Sequence, residues 1–240
     1  MLQSSWLRAL GLAALMLLPS AAMSQDPAAT PAEPVPTPEA AAPAAPTRAI
    51  IHTNMGAITI ELFADKAPKS VANFLEYAQA GHYNGTIFHR VIDGFMIQGG
   101  GYTADLQLKP VRPAIENEAK NGLSNQRGTL AMARTSEPHS AQSQFFINVV
   151  DNPRLDFVSE QSGYTWGYAV FAKVTDGLDV VDRIRSLETG AQGPMSRDVP
   201  LQTVLIERVE VIPPLAAEPA PTEPASAADP AAATPPAGGN

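Results

Sequence analysis

Four histidines, His52, His82, His89 and His139, are the obvious candidates for acid–base or metal chemistry. Their spacing fits neither H-E-x-x-H nor another recurring ligand pattern, so no metal centre is expected. No cysteine occurs in the 240 residues, which excludes disulfides, thiolate catalysis, iron–sulfur clusters and cysteine-based zinc sites. No G-x-S-x-G elbow offers a nucleophilic serine. The run Gly99-Gly100-Gly101 matches neither a phosphate loop nor a dinucleotide fingerprint and reads as a turn. No cofactor is expected. A net charge of −8 argues against nucleic acid as a partner, because phosphate contacts need clustered Lys and Arg. One stretch remains, Phe88-His89-Arg90-Val91-Ile92-Asp93-Gly94-Phe95-Met96-Ile97-Gln98-Gly99-Gly100, which sets a guanidinium and an amide among large apolar side chains. Taken alone, an arginine there reads as a surface ion pair.

The elements around that stretch are short. Ala49–His52 and Ala57–Leu62 read as strands joined by a turn at Asn54-Met55-Gly56. Pro68 suits the first turn of a helix and Gly81 the position after its end, and Val71, Phe74, Leu75 and Ala78 share one face between them. Apolar runs recur at Thr86–Ile92, Phe95–Gln98, Thr129–Ala133, Phe145–Val150 and Tyr168–Val174. A second helix is expected over Leu178–Ser186, and a last strand over Thr203–Val211. Many short strands with two helices predict a mainly β protein, a barrel or a sandwich.

The ends differ in kind. Residues 1–24 read as a signal peptide. Arg8 precedes the apolar run Ala9–Leu18, and small residues follow, with cleavage sites at Ala22-Met23-Ser24 or Ser20-Ala21-Ala22. That run is short for a bilayer span, although an uncleaved anchor is the alternative. The chain is therefore expected to be exported to the periplasm, with no stable membrane insertion after cleavage near residues 22–24. Of the 23 prolines, 15 lie in 25–47 and 213–240, where Ala, Glu and Thr are the main companions. Such segments lack the apolar side chains to offset the entropy of ordering, so both are expected to be disordered linkers. Residues 48–212 are expected to form the folded domain.

Three blocks, Phe88–Gly100, Gly128-Thr129-Leu130-Ala131-Met132-Ala133-Arg134 and Ser143-Gln144-Phe145-Phe146-Ile147, resemble in order and spacing the active-site strands of the cyclophilins. The likeness runs from about Ile50 to Val211. It is nearest to the bacterial branch, including Gly167-Tyr168-Ala169-Val170-Phe171. The resemblance implies a closed eight-stranded antiparallel barrel capped by two helices, sufficient as a monomer. It also implies a peptidyl-prolyl cis–trans isomerase acting on proline-containing unfolded or exported polypeptides.

The roles follow from that resemblance. An X–Pro amide rotates over a barrier of about 18–20 kcal/mol set by its partial double bond. In the twisted amide the nitrogen becomes a hydrogen-bond acceptor, so a fixed cation aimed at it favours the twisted form alone. Arg90 would be that donor. Gln98 would hold Arg90 and touch the substrate. Phe95, Met96, Phe146 and Leu155 would line the proline pocket. Ala133, Arg134 and Gln144 would meet the substrate backbone, and His89 and Tyr168 would be wall groups. Arg134-Thr135 replaces the Asn-Ala of many eukaryotic members. Arg154 stands where many of them carry a tryptophan that binds cyclosporin, so weak cyclosporin binding is expected. The rival reading is a proline-peptide binding module or holdase with incidental catalysis; an intact Arg90 favours the enzyme.

Overall fold

The computed structural model describes residues 47–213. The signal peptide and both proline-rich tails, but for Thr47 and Pro213, lie outside the described residues. The first hairpin pairs β1 (Arg48–Thr53) with β2 (Gly56–Leu62) through a turn at Asn54-Met55. The Thr53 hydroxyl supports it by donating to the Gly56 carbonyl at 2.7 Å. Helix α1 (Pro68–Gln79) follows, with Pro68 in its first turn. Ala67 at the cap has no side-chain acceptor. Glu118, far along the chain, supplies one instead by accepting from the Lys69 and Ser70 amides at 2.9 and 2.7 Å.

The remaining barrel strands are β3 (Thr86–Ile92), β4 (Met96–Thr103), β5 (Thr129–Met132), β6 (Phe145–Asn148), β7 (Val170–Asp176) and, after helix α2 (Leu178–Arg185), β10 (Leu205–Ile212). They close in the order β1-β10-β3-β4-β6-β5-β7-β2, every pairing antiparallel, which is the expected eight-stranded barrel. Inward residues of all the strands fill the interior with Ile51, Ile58, Ile60, Phe88, Ile97, Leu130, Phe145, Phe171 and Ile206, all fully buried. Helix α1 adds Phe74, which packs at 5.2–5.7 Å against Tyr83, Phe171 and Phe145. Helix α2 buries Val180, Val181 and Ile184. The barrel is thus a packed core, and any ligand site must lie outside it.

Two departures from the sequence reading bear on the site. The run Gly99–Gly101 is not a turn but the middle of β4. A Cβ on Gly100 would come within 2.9 Å of the Tyr83 ring, and one on Gly101 within 2.5 Å of Gln144. These glycines let aromatic and amide side chains press on the backbone. The second departure is a ribbon that periodicity did not show, β8 (Thr189–Gln192) paired with β9 (Met195–Pro200). It stands apart from the barrel and packs along β3.

Candidate active site

Strict alternation would put Phe88 and Arg90 on one face of β3, since they are two residues apart. Phe88 is fully buried in the core, so Arg90 would have to enter it as well. The register of β3 against β4 shifts between these residues, and the bulge re-aims Arg90 outward. Beyond it the strands run in step. Val91, Ile97, Ile147 and Leu130 are successive cross-strand partners facing the core. The neighbouring row on the outer face is Arg90, Gln98, Phe146 and Ala131. Directly opposed residues in a sheet sit side by side, so four strands deliver these side chains to one patch.

The patch has an apolar floor of its own. Met96, Ala131, Phe146 and Val170 form a buried cluster separate from the barrel core, with Phe95, Leu155 and Tyr168 against it. Above the floor lies a cavity of about 230 Å³ lined by Arg90, Phe95, Met96, Gln98, Ala133, Arg134, Phe146, Leu155 and Tyr168. A neighbouring cavity of about 190 Å³ shares Gln98, Ala133 and Arg134 and adds Leu108, Val111 and Gln144. Phe146 meets Tyr168 edge-on at 5.6 Å, which stiffens the floor.

The polar groups form a chain across the rim. Arg90 Nη1 donates to Gln98 Oε1 at 3.4 Å, and Gln98 Nε2 donates to Gln144 Oε1 at 2.9 Å. The Arg90 side chain keeps 38 % of its surface exposed, so its remaining N–H groups are open to a ligand. Arg134 is placed differently. Its guanidinium donates to the carbonyls of Thr135, Gly163 and Gly167 at 2.6–3.0 Å and lies 4.4 Å over the Tyr168 ring. It is therefore a wall that ties down the loop before β7, with few donors left for substrate. Arg154 does not line the cavity. Its guanidinium carbon lies over the Phe95 ring, 5.2 Å from the centroid.

His89 sits apart from the pocket lining. It is 5 % exposed, its ring is 4.6 Å from that of Tyr102, and its Nδ1 has no hydrogen-bond partner. Burial, aided by the nearby Arg90 charge, lowers its pKa to about 4, so it is neutral at physiological pH. Nine of the eleven predicted site residues share the first cavity. Gln144 joins them through Gln98, and His89 lies outside both cavities, buried beside Tyr102.

Three supporting residues, two asparagines and an aspartate, escaped the sequence reading. Asn152 is 4 % exposed, and its amide donates to the Phe95 carbonyl at 2.9 Å and to Asn148 Oδ1 at 2.8 Å. Fully buried Asn125 donates to the carbonyls of Leu155 and Tyr168 at 3.1 and 3.3 Å. Together they fix the turn carrying Phe95 against the 3-10 turn Pro153–Leu155. Lone asparagines gave no periodic signal by which to find them. The other is Asp198, whose Oδ2 stands 3.8 Å from Arg90 Nε.

A closed antiparallel barrel that carries on its outer face a small pocket with an apolar floor and an arginine at its rim defines the class of domain. The comparisons specify it further. The family described as "Cyclophilin type peptidyl-prolyl cis-trans isomerase/CLD" matches residues 48–211. Peptidyl-prolyl cis-trans isomerase B of Escherichia coli (strain K12) is 59% identical over 160 residues, covering 67% of this chain and 96% of that protein. Peptidyl-prolyl cis-trans isomerase cyp18 of Streptomyces antibioticus is 53% identical over 162 residues, covering 68% and 96%. A Cryptosporidium parvum cyclophilin-type isomerase crystallised in the presence of the dipeptide Ala-Pro superposes with a TM-score of 0.55 at 28% identity, covering 69% of this chain and 98% of that one. The chain belongs to the cyclophilin-type peptidyl-prolyl cis–trans isomerases, and its enzymatic class is theirs.

Proposed function

We propose that this isomerase works by holding a proline ring on the floor of Phe95, Met96, Phe146 and Leu155 while Arg90 donates to the prolyl nitrogen as the amide twists. The observation that carries the reading is the cross-strand row Arg90–Gln98–Phe146, which sets a cation at the rim of an apolar pocket. A planar amide nitrogen has its lone pair delocalised and accepts poorly; a pyramidal one accepts well. A guanidinium fixed beside it lowers the barrier without strengthening ground-state binding equally. Arginine suits the task because it stays charged and presents a rigid fork of donors. Gln98 occupies one of those N–H groups and limits the rotation of the rest.

Arg90→Ala is expected to lower kcat/KM at least tenfold in a peptide isomerisation assay, a loss of about 1.4 kcal/mol or more of transition-state stabilisation. The side chain is partly exposed and belongs to no core cluster, so the thermal midpoint should hold. Wild-type turnover from a folded variant would reject the arginine mechanism. It would leave the pocket as a binding module.

The substrates we propose are X–Pro bonds of exported polypeptides in the periplasm. The amino-terminal sequence 1–24 and the absence of cysteine support this. Cell fractionation of the full chain, with and without residues 2–24, tests it: retention of both forms in the cytoplasm would overturn the assignment.

A further inference from the structure

We propose that Asp198 is a positioning residue for the isomerisation, acting through Arg90 and therefore resting on the role of Arg90 proposed above. Asp198 lies in β9, on the ribbon that packs along β3 outside the barrel. Its φ is +65°, a left-handed conformation that a side-chain-bearing residue adopts at a cost. Such a conformation persists where the surroundings hold it. Here Val199, 2 % exposed, anchors the next residue of the ribbon. The Asp198 side chain is 22 % exposed, whereas that of its neighbour Arg197 is 79 % exposed. The Asp198 carboxylate is thus the more covered of the two neighbouring charges and stands beside Arg90.

The separation is informative. Asp198 Oδ2 is 3.8 Å from Arg90 Nε, too far for a hydrogen bond but within the range of a Coulomb interaction. A direct bidentate pair would occupy the donors the reaction needs. At this distance the carboxylate favours one orientation of the guanidinium and leaves its N–H groups free. Gln98 restrains the group at Nη1. Asp198 restrains it at Nε, so two different nitrogens are held from two different strands, and the plane of the fork is defined. Asp198 Oδ2 also lies 3.4 Å from Arg197 Nε, and that exposed partner is the alternative reason for its presence.

The test uses the full chain in a peptide isomerisation assay. Asp198→Asn keeps the size and the tolerance for positive φ while removing the charge. It is expected to lower kcat/KM about fivefold, mainly through kcat, with an unchanged thermal midpoint. In an Arg90→Lys background, which has no Nε to orient, the same change should cost less than about twofold. Arg197→Ala should leave turnover unchanged. The Arg90 Nε–H resonance in a nitrogen-15 spectrum should shift and broaden in Asp198→Asn while the remaining resonances stay in place. An equal loss in both backgrounds, no loss in the wild-type background, or an unmoved Nε–H signal would each overturn the proposal. If Arg90→Ala keeps full turnover, the arginine mechanism has failed; if only Asp198→Asn does, the failure belongs to Asp198.

Discussion

Arg154 and Phe95 show how one side chain can alter a pocket without lining it. The Arg154 guanidinium lies over the Phe95 ring and carries five N–H donors. A largely apolar cyclic peptide such as cyclosporin cannot satisfy all of them, so covering this group costs desolvation without full return. An indole offers an apolar face and a single donor. We predict that Arg154→Trp strengthens cyclosporin binding by about 1–3 kcal/mol, the scale of burying one large side chain. Turnover of a short peptide should change little, since Arg90, Phe146 and Met96 are untouched. Titration of both forms in one buffer decides the matter: equal affinities would mean that residue 154 does not bound the ligand.

Among the elements, the barrel strands deliver the polar row, while the less regular segments close the pocket. Leu155 stands on a 3-10 turn and Phe95 on the turn before β4, and Asn152 ties the two together. Asn152→Ala removes donors from the Phe95 and Val150 carbonyls and from Asn148 Oδ1 in a buried setting. We expect a loss of about 2 kcal/mol and a fall in the thermal midpoint of roughly 4–8 °C. The looser pocket should raise KM for a proline peptide more than it lowers kcat. Unchanged KM together with an unchanged midpoint would show that the asparagine does not set the pocket wall. Helix and strand positions were legible because Val71, Phe74, Leu75 and Ala78 mark a helix face and the apolar runs mark strands, each within a residue or two of its observed limits except β4, which runs on from Gln98 through the glycines to Thr103. The β8–β9 ribbon was not legible, because Thr189–Pro200 is polar and largely exposed and so carries no alternation.

For the whole molecule, pH should separate stability from turnover. Buried His89 has its pKa lowered from 6.5 to about 4 in the fold, so between these values the unfolded chain binds more protons. Its contribution is therefore complete above pH 6.5 and is lost as pH falls toward 4. His82, also lowered chiefly by burial, acts with the same sign. Between pH 7.5 and 5 the His89 contribution is about 2 kcal/mol, or roughly 4–8 °C in the thermal midpoint. His89→Gln should flatten most of that slope in a melting series. Amide rotation transfers no proton, so kcat/KM should stay level from pH 6 to 8 over the same series. A wild-type midpoint that does not move on acidification would contradict the burial of a neutral imidazole, and a bell-shaped rate profile would contradict the mechanism.

The sequence alone determined most of the folded domain's elements and, through the family resemblance, the barrel class and most of the residues that share the pocket. Each of these rests on residue type and spacing, which local propensity and a family's motifs can read. The side chains that hold the pocket in place were decided in three dimensions. Phe88 and Arg90 face opposite ways because of a bulge in β3 that alternation does not predict. Arg134 became a loop tie because the carbonyls of Gly163 and Gly167 converge on it. Asp198 reaches Arg90 from more than a hundred positions away through a ribbon that lies beside β3. Such partners are set by barrel closure and by which carbonyls and charges the closed fold leaves facing one another, and no periodic signal along the chain encodes that.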